Sequence, residues 1–161
     1  MNPENNFAYI DGANLHKGVA DLGWELDYKR LRLWLSSKYK IKRAYLFLGL
    51  IPKYKDLYIH LQEVGFTIVF KETTYDGEGK AKGNCDADLV LRTVCDTYEN
   101  VFDKAVIISS DGDYASLVKF LQERNKILAI ISPNNHCSVL LKRTNSKILY
   151  LDWVKSKVNK K

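Results

Sequence analysis

Short apolar runs recur along this chain, each closed by a turn-forming cluster. Residues 7–10, 44–48, 66–70, 106–108, 127–131 and 148–151 lack polar alternation. That is the pattern of strands covered on both faces, as in parallel sheets. Helical spacing fills the intervals. Asp27 is a candidate N-cap for a helix over about 28–39. A second helix is expected from Pro52 to about 64, with Leu57, Ile59, Leu61 and Val64 inward and Gly65 ending it. A third is expected from the cluster at 84–91 to about 98, where Ala87, Val90, Leu91, Val94 and Tyr98 form the apolar stripe. A fourth follows Tyr114 to about 123, and a short one lies within 137–142. Strands alternating with helices predict a doubly wound, mostly parallel α/β sheet with right-handed crossovers.

Two regions fall outside this rhythm. The turn-rich stretch 71–83 reads as an exposed excursion or hairpin tip. The last residues, 155–161, carry four lysines, and a frayed terminus is the default reading. The chain is therefore expected to be one domain over 1–155 with a basic tail at 156–161.

Two of the strands end alike. Tyr9-Ile10-Asp11-Gly12-Ala13-Asn14 and Ser109-Ser110-Asp111-Gly112-Asp113-Tyr114 both run from an apolar strand into Asp-Gly and then a helix start. One Asp is enough to cap a helix, so Asp111 and Asp113 together ask for a further reason. The strand end is also where open α/β sheets place ligand sites. The first and fourth strands are expected near the sheet centre, which brings Asp11 and Asp111 to one edge. A third acidic group, Asp86 and Asp88, lies in the cluster at 84–91 that opens the helix to about 98. They lie roughly 160° apart around that helix, so both cannot enter one pocket, and spacing does not choose between them.

Composition adds a direction. The net charge of +6 over 161 residues suits an anionic partner, nucleic acid being the commonest. Lys29, Arg30, Arg32, Lys38, Lys40, Lys42 and Arg43 make one dense positive region, read either as a solvated helix face or as a phosphate-tracking surface. Three cysteines without metal spacing read as reduced thiols, and the polar N-terminus does not read as a signal peptide. Both point to a cytoplasmic protein. No run reaches the length of a membrane span.

Competing chemistries lack their motifs. No G-x-G-x-x-G follows the first strand, and neither a P-loop nor a serine nucleophile elbow is present. An Asp-x-Asp pair after a strand also occurs in phosphatases of the haloacid dehalogenase type. There it sits on the first strand with a Thr two positions on, whereas position 115 here is Ala. What remains is carboxylates: Asp11, Asp86 or Asp88, Asp111 and Asp113. Hard oxygen ligands at this density suit Mg²⁺ or Mn²⁺ rather than Zn²⁺. Such an ion can activate water and stabilise charge in phosphodiester cleavage.

These motifs, together with Lys82-Gly83-Asn84-Cys85-Asp86-Ala87-Asp88, resemble those of the NYN domain, a branch of the PIN-like nuclease superfamily related to bacterial LabA-like proteins. The resemblance spans nearly the whole chain. It implies a Rossmann-like, PIN-type three-layer sandwich, a Mg²⁺ or Mn²⁺ site and ribonuclease activity. It implies metal-site roles for Asp11, Asp86, Asp111 and Asp113, preferring Asp86 over Asp88, with Asn14 as a supporting polar group. Lys82 and Ser110 become candidates for contacting the scissile phosphate or supporting the ligands. The chain departs from the pattern at Arg92, where many members carry another acidic residue six positions after the one matching Asp86. A second ion is in doubt if that residue normally helps the metal.

The leading expectation is thus a metal-dependent endoribonuclease with RNA as substrate and no membrane partner; a homodimer is compatible with it. The alternative is an RNA-binding or regulatory module whose site is weakly active or silent.

Overall fold

The computed structural model describes residues 4–161 except 73, 76, 79, 80 and 83–85, and without the side chains of 72, 74, 75, 81 and 82. Six strands, β1 (Asn6–Asp11), β2 (Ile41–Leu50), β3 (Phe66–Glu72), β6 (Ala105–Ile108), β7 (Ile127–Ser132) and β8 (Ile148–Tyr150), form one sheet in the order β3-β2-β1-β6-β7-β8. All five pairings are parallel. Two-residue strands β4 (Thr74–Tyr75) and β5 (Ala81–Lys82) pair antiparallel, as expected of the excursion over 71–83. Lys80, Asn84 and Cys85 lie outside the described residues.

Helices cover both faces. On one side α1 (Gly12–Ala20), α2 (Tyr28–Tyr39), α3 (Lys55–Glu63) and α7 (Lys155–Val158) contribute Leu15, Leu31, Trp34, Leu61 and Val158 to a core with Ile10, Leu46, Ile108 and Ile131. On the other, α4 (Asp86–Tyr98), α5 (Ala115–Glu123) and α6 (Val139–Lys142) pack Leu89, Leu117, Leu121 and Leu141 against Tyr9, Phe47, Ile107 and Ile130. Alternate strand residues feed the two cores, so the apolar runs need no polar alternation. Among the described residues no helix is long and apolar enough to cross a membrane.

Asp27 caps α2 as expected, accepting from the Arg30 amide at 3.1 Å. Gly65 follows α3 with φ +108°. Two of the seven basic residues at 29–43 are structural, while Lys29, Lys38, Lys40, Lys42 and Arg43 are exposed. Arg32 donates to the carbonyls of Gly65, Ile41 and Lys42, and Arg30 to those of Asn159 and Ser156. Lys40 and Lys42 flank the start of β2, at the sheet edge opposite Asp11.

Three further expectations are corrected. In α3, Tyr58 and Leu61 are buried while Leu57 and Ile59 are exposed. Tyr58 fixes the helix phase: its ring packs 4.8 Å from Phe70, and its hydroxyl bonds the Gly49 carbonyl and the Ile51 amide. At the C-terminus the lysine-rich segment does not fray. Val158 is fully buried, Leu26 and Asn159 form a β-bridge, and the Lys160 amide donates to the Glu25 carbonyl.

The third correction bears on function. Helix α4 buries Leu89, Thr93, Asp96 and Thr97, while Ala87, Leu91 and Tyr98 are exposed and Val90 and Val94 only partly covered. The helix is rotated by roughly 120° from its apolar stripe. Polar side chains can be buried here because each has a partner. The Thr93 and Thr97 hydroxyls donate one turn back, to the carbonyls of Leu89 and Thr93. Asp96 accepts the Tyr9 hydroxyl at 2.7 Å and faces the Arg92 guanidinium at 3.5 Å. This phase turns Asp86, seven residues before Thr93 and ten before Asp96, toward the sheet.

Asp96→Ala should therefore destabilise the protein by about 1–3 kcal/mol, because it strands the Tyr9 hydroxyl inside the core. Adding Tyr9→Phe should recover part of that loss. Urea unfolding measures both, and an unchanged midpoint for Asp96→Ala would contradict this assignment of the helix phase.

Candidate metal centre

The two central strands end side by side, with Ile10 paired to Ile108. Asp11 closes β1 and caps α1, one carboxylate oxygen accepting the Asn14 amide at 3.2 Å. Asp111, three residues past β6, caps a single 3₁₀ turn over Gly112–Tyr114 by accepting the Asp113 amide at 2.9 Å. Its own amide donates to the buried Ser109 hydroxyl at 3.1 Å. Capping is thus real at both aspartates. It occupies one oxygen of each and leaves the other for different work.

Both Asp-Gly pairs have a steric reason. A Cβ on Gly12 would stand 2.7 Å from the Phe47 carbonyl oxygen, and one on Gly112 would stand 2.4 Å from the Ser138 hydroxyl. Close approach of β2 and of the α6 cap, rather than an unusual φ, is what requires glycine. Gly12→Ala would push against backbone, so a loss of about 1–3 kcal/mol in thermal or urea unfolding is expected. A variant as stable as wild type would contradict that packing.

Asn14 clasps the two loops together. Its side-chain nitrogen donates to the Ser110 hydroxyl and its oxygen accepts the Ser110 amide, both at 3.0 Å. The pair links strand ends 96 residues apart.

Asp11, Asp86 and Asp111 each offer an oxygen within 4.8 Å of the others'. The first is only 8% exposed and the other two are half-buried. Between Asp11 and Asp86 stands Tyr114, which closes the Asp-Gly-Asp-Tyr motif and to which sequence reasoning gives no role. Its buried hydroxyl lies 2.7 Å from Asp86 and 3.1 Å from Asp11. The sequence signal was only its place in the motif; the 3₁₀ turn that swings it between the carboxylates leaves no periodicity to read.

The electrostatics of the group are unfavourable without a cation. Two unit charges 4.8 Å apart repel by roughly 3.5 kcal/mol at an effective dielectric of about 20. One hydroxyl proton cannot fully serve two carboxylates. Burial, and then the charges of Asp86 and Asp111, push the Asp11 carboxyl above its usual range, against the Asn14 amide and Tyr114 hydroxyl that lower it. Burial and the neighbouring Asp11 charge raise the Tyr114 phenol too, keeping it a donor. Among the described residues no Lys or Arg forms a salt bridge with Asp11 or Asp111. The three carboxylates could hold a divalent cation, and hard carboxylate oxygens suit Mg²⁺ or Mn²⁺ in type.

The pH dependence follows from Asp11. A raised carboxyl holds its proton more tightly in the folded state, so its contribution to stability is present at low pH and lost as pH rises through the folded value. A metal competes with that proton. Metal affinity should climb with pH while Asp11 holds its proton, approaching tenfold per unit, and level off above the folded pKa. Calorimetric Mn²⁺ titrations at stepped pH check this. Affinity independent of pH, with no proton released, would contradict it.

The remaining candidates lie apart. Asp113 is exposed, its amide engaged by Asp111. Asp88 is on the far side of α4, lining with Val69, Leu91, Arg92 and Cys95 a groove of about 400 Å³. Arg92 lines that groove as well, donating to the Tyr45 hydroxyl at 2.8 Å and stacking 4.9 Å over its ring. The side chain of Lys82 lies outside the described residues.

Comparison with known proteins gives the family and supports the fold. The family model of the NYN domain matches residues 7–152. A crystal structure of a protein of unknown function from Vibrio parahaemolyticus RIMD 2210633 shares the fold, with a TM-score of 0.80 at 20% identity, over 99% of this chain and 100% of that one. No functionally curated protein matches the chain.

Proposed function

The chain belongs to the NYN domain family, within the PIN-like nucleases, and from that premise we propose that it is a metal-dependent endoribonuclease. The observation that carries the reading is the triad of convergent carboxylates on the edge where two central parallel strands end. Asp11, Asp86 and Asp111 would hold the Mg²⁺ or Mn²⁺ ion. That ion, when bound, supplies a water of lowered pKa and a positive charge for the phosphodiester oxygens.

The chain's own residues do the positioning. Tyr114 fixes Asp11 and Asp86 relative to each other through one hydroxyl. Asn14 and Ser110 hold the loops that carry Asp11 and Asp111 in register. Asp113, exposed beside Asp111, orients the attacking water or adds a ligand. Asp88 takes no part, since it lies across the helix. The net charge of +6 favours a polyanion over a small phosphoester.

The test is cleavage of a labelled mixed-sequence RNA by wild-type protein in Mn²⁺, Mg²⁺ or EDTA. Internal cuts that appear with metal and vanish in EDTA are expected. RNA bound but left intact under every metal would overturn the nuclease reading and favour an RNA-binding module with a silent site.

A further inference from the structure

We propose that Trp153, backed by Tyr150, is a stacking platform for a base of single-stranded RNA held beside the metal centre. This rests on the ribonuclease reading for its ligand, but on separate residues for its evidence.

The first observation is register. Ile10, Ile108, Ile131 and Leu149 are paired in turn across β1, β6, β7 and β8. The residues that follow, Asp11, Ser109, Ser132 and Tyr150, form the next row along the same edge, and Ser132 and Tyr150 are themselves paired. Tyr150 packs against the core that contains Tyr9 and Tyr114, on the face of the sheet covered by α4. It therefore shares with the carboxylates both their edge and their side. Three strand spacings separate β1 from β8, roughly 14 Å. A strand of a few nucleotides spans that distance.

The second observation is Trp153 itself. It is 71% exposed and contacts the Tyr150 ring at 4.8 Å, tilted by 63°. A ring so open with one aromatic neighbour keeps a face free for another. The turn that carries it is fixed. Leu151 is fully buried, Asp152 accepts the Trp24 indole N–H at 3.0 Å, and Val154 packs against the core. An aromatic presented on an anchored turn loses little freedom when a base stacks on it. Tyr98, nearly as exposed, differs on each point. It stands at the end of α4 away from Asp86, and the Arg124 guanidinium covers its ring at 5.4 Å.

Charge selects the occupant. Lys155 and Lys157 lie on α7, two and four residues past Trp153, the first with its ammonium 6.0 Å from the Trp24 ring, and Lys142 and Arg143 close α6, the helix that packs on the Gly112–Tyr114 turn. All four are exposed and form no salt bridge among the described residues. Exposed aromatics interleaved with uncompensated cations are the arrangement that binds single-stranded nucleic acid, phosphates on the cations and bases on the rings.

The indole also supplies the readout, because Trp24 and Trp34 are buried. A short unstructured RNA would be titrated in EDTA against wild type, Trp153→Ala and Trp153→Tyr, alongside an abasic strand of the same length. Expected are quenching of wild-type tryptophan emission by RNA, about 5- to 100-fold weaker binding to Trp153→Ala, and near-wild-type binding to Trp153→Tyr. The abasic strand should bind wild type and Trp153→Ala equally. The proposal is overturned if Trp153→Ala binds RNA as tightly as wild type, if wild type binds no RNA, or if the substitution only converts a dimer to monomers. Cleavage in Mn²⁺ separates the two readings: cutting that does not need Trp153 sinks this proposal alone, and Trp153-dependent binding without cutting sinks the nuclease alone.

Discussion

Asp111→Asn should lower metal-dependent RNA cleavage by at least about 100-fold while leaving the fold intact. The substitution keeps the shape of the side chain and its carbonyl oxygen, so the cap on the Asp113 amide survives. What it removes is one of three negative charges within 4.8 Å of each other. Removing one relieves repulsion in the metal-free protein, so the variant should be as thermally stable as wild type or more so. Its response to metal should be lost. For wild type, an ion at 100 times its Kd stabilises by about 2.7 kcal/mol. In a chain of this size that raises the melting temperature by about 5–10 °C. Thermal scans with and without Mn²⁺ read both quantities in one experiment. A variant that still gains the full shift would remove Asp111 from the ligand set, and one that fails to fold would assign Asp111 a structural role.

Tyr114→Phe is the second. The phenyl ring keeps its place in the core, and only the hydroxyl between Asp11 and Asp86 is lost. Hydrogen bonds that orient metal ligands are typically worth 10- to 100-fold in affinity or activity. Mn²⁺ affinity should fall by about that factor. The Asp11 carboxyl, deprived of a donor that favours its charged form, should titrate higher still. The pH at which metal affinity levels off should therefore move up. Loss of affinity without that movement would mean the hydroxyl does not act through Asp11.

The sequence alone showed much of this framework. Uninterrupted apolar strands and intervening helices specified a parallel sheet, and the repeated Asp-Gly at two strand ends located its functional edge. The misread parts share a cause. Helix phase was taken from apolar letters, but α4 is phased by Thr93, Thr97 and Asp96, polar residues that find partners inside the fold. The same limitation hid the choice between Asp86 and Asp88, which family resemblance made and helix phase explains. Arg30 and Arg32 counted as surface charge in the sequence and bind backbone carbonyls in the structure. The C-terminal lysines likewise obscured Val158, whose burial helps to dock that segment. Tyr114 and Trp153 were invisible for a different reason: each owes its position to a 3₁₀ turn too short to leave a periodic trace.

The most direct measurement is the anomalous scattering of Mn²⁺ in crystals of the wild-type protein. One peak bonded to carboxylate oxygens of Asp11, Asp86 and Asp111, absent from Asp111→Asn, is the predicted result. No peak among these three residues at saturating Mn²⁺, or one held by other side chains, would contradict the assignment of this edge as a metal centre.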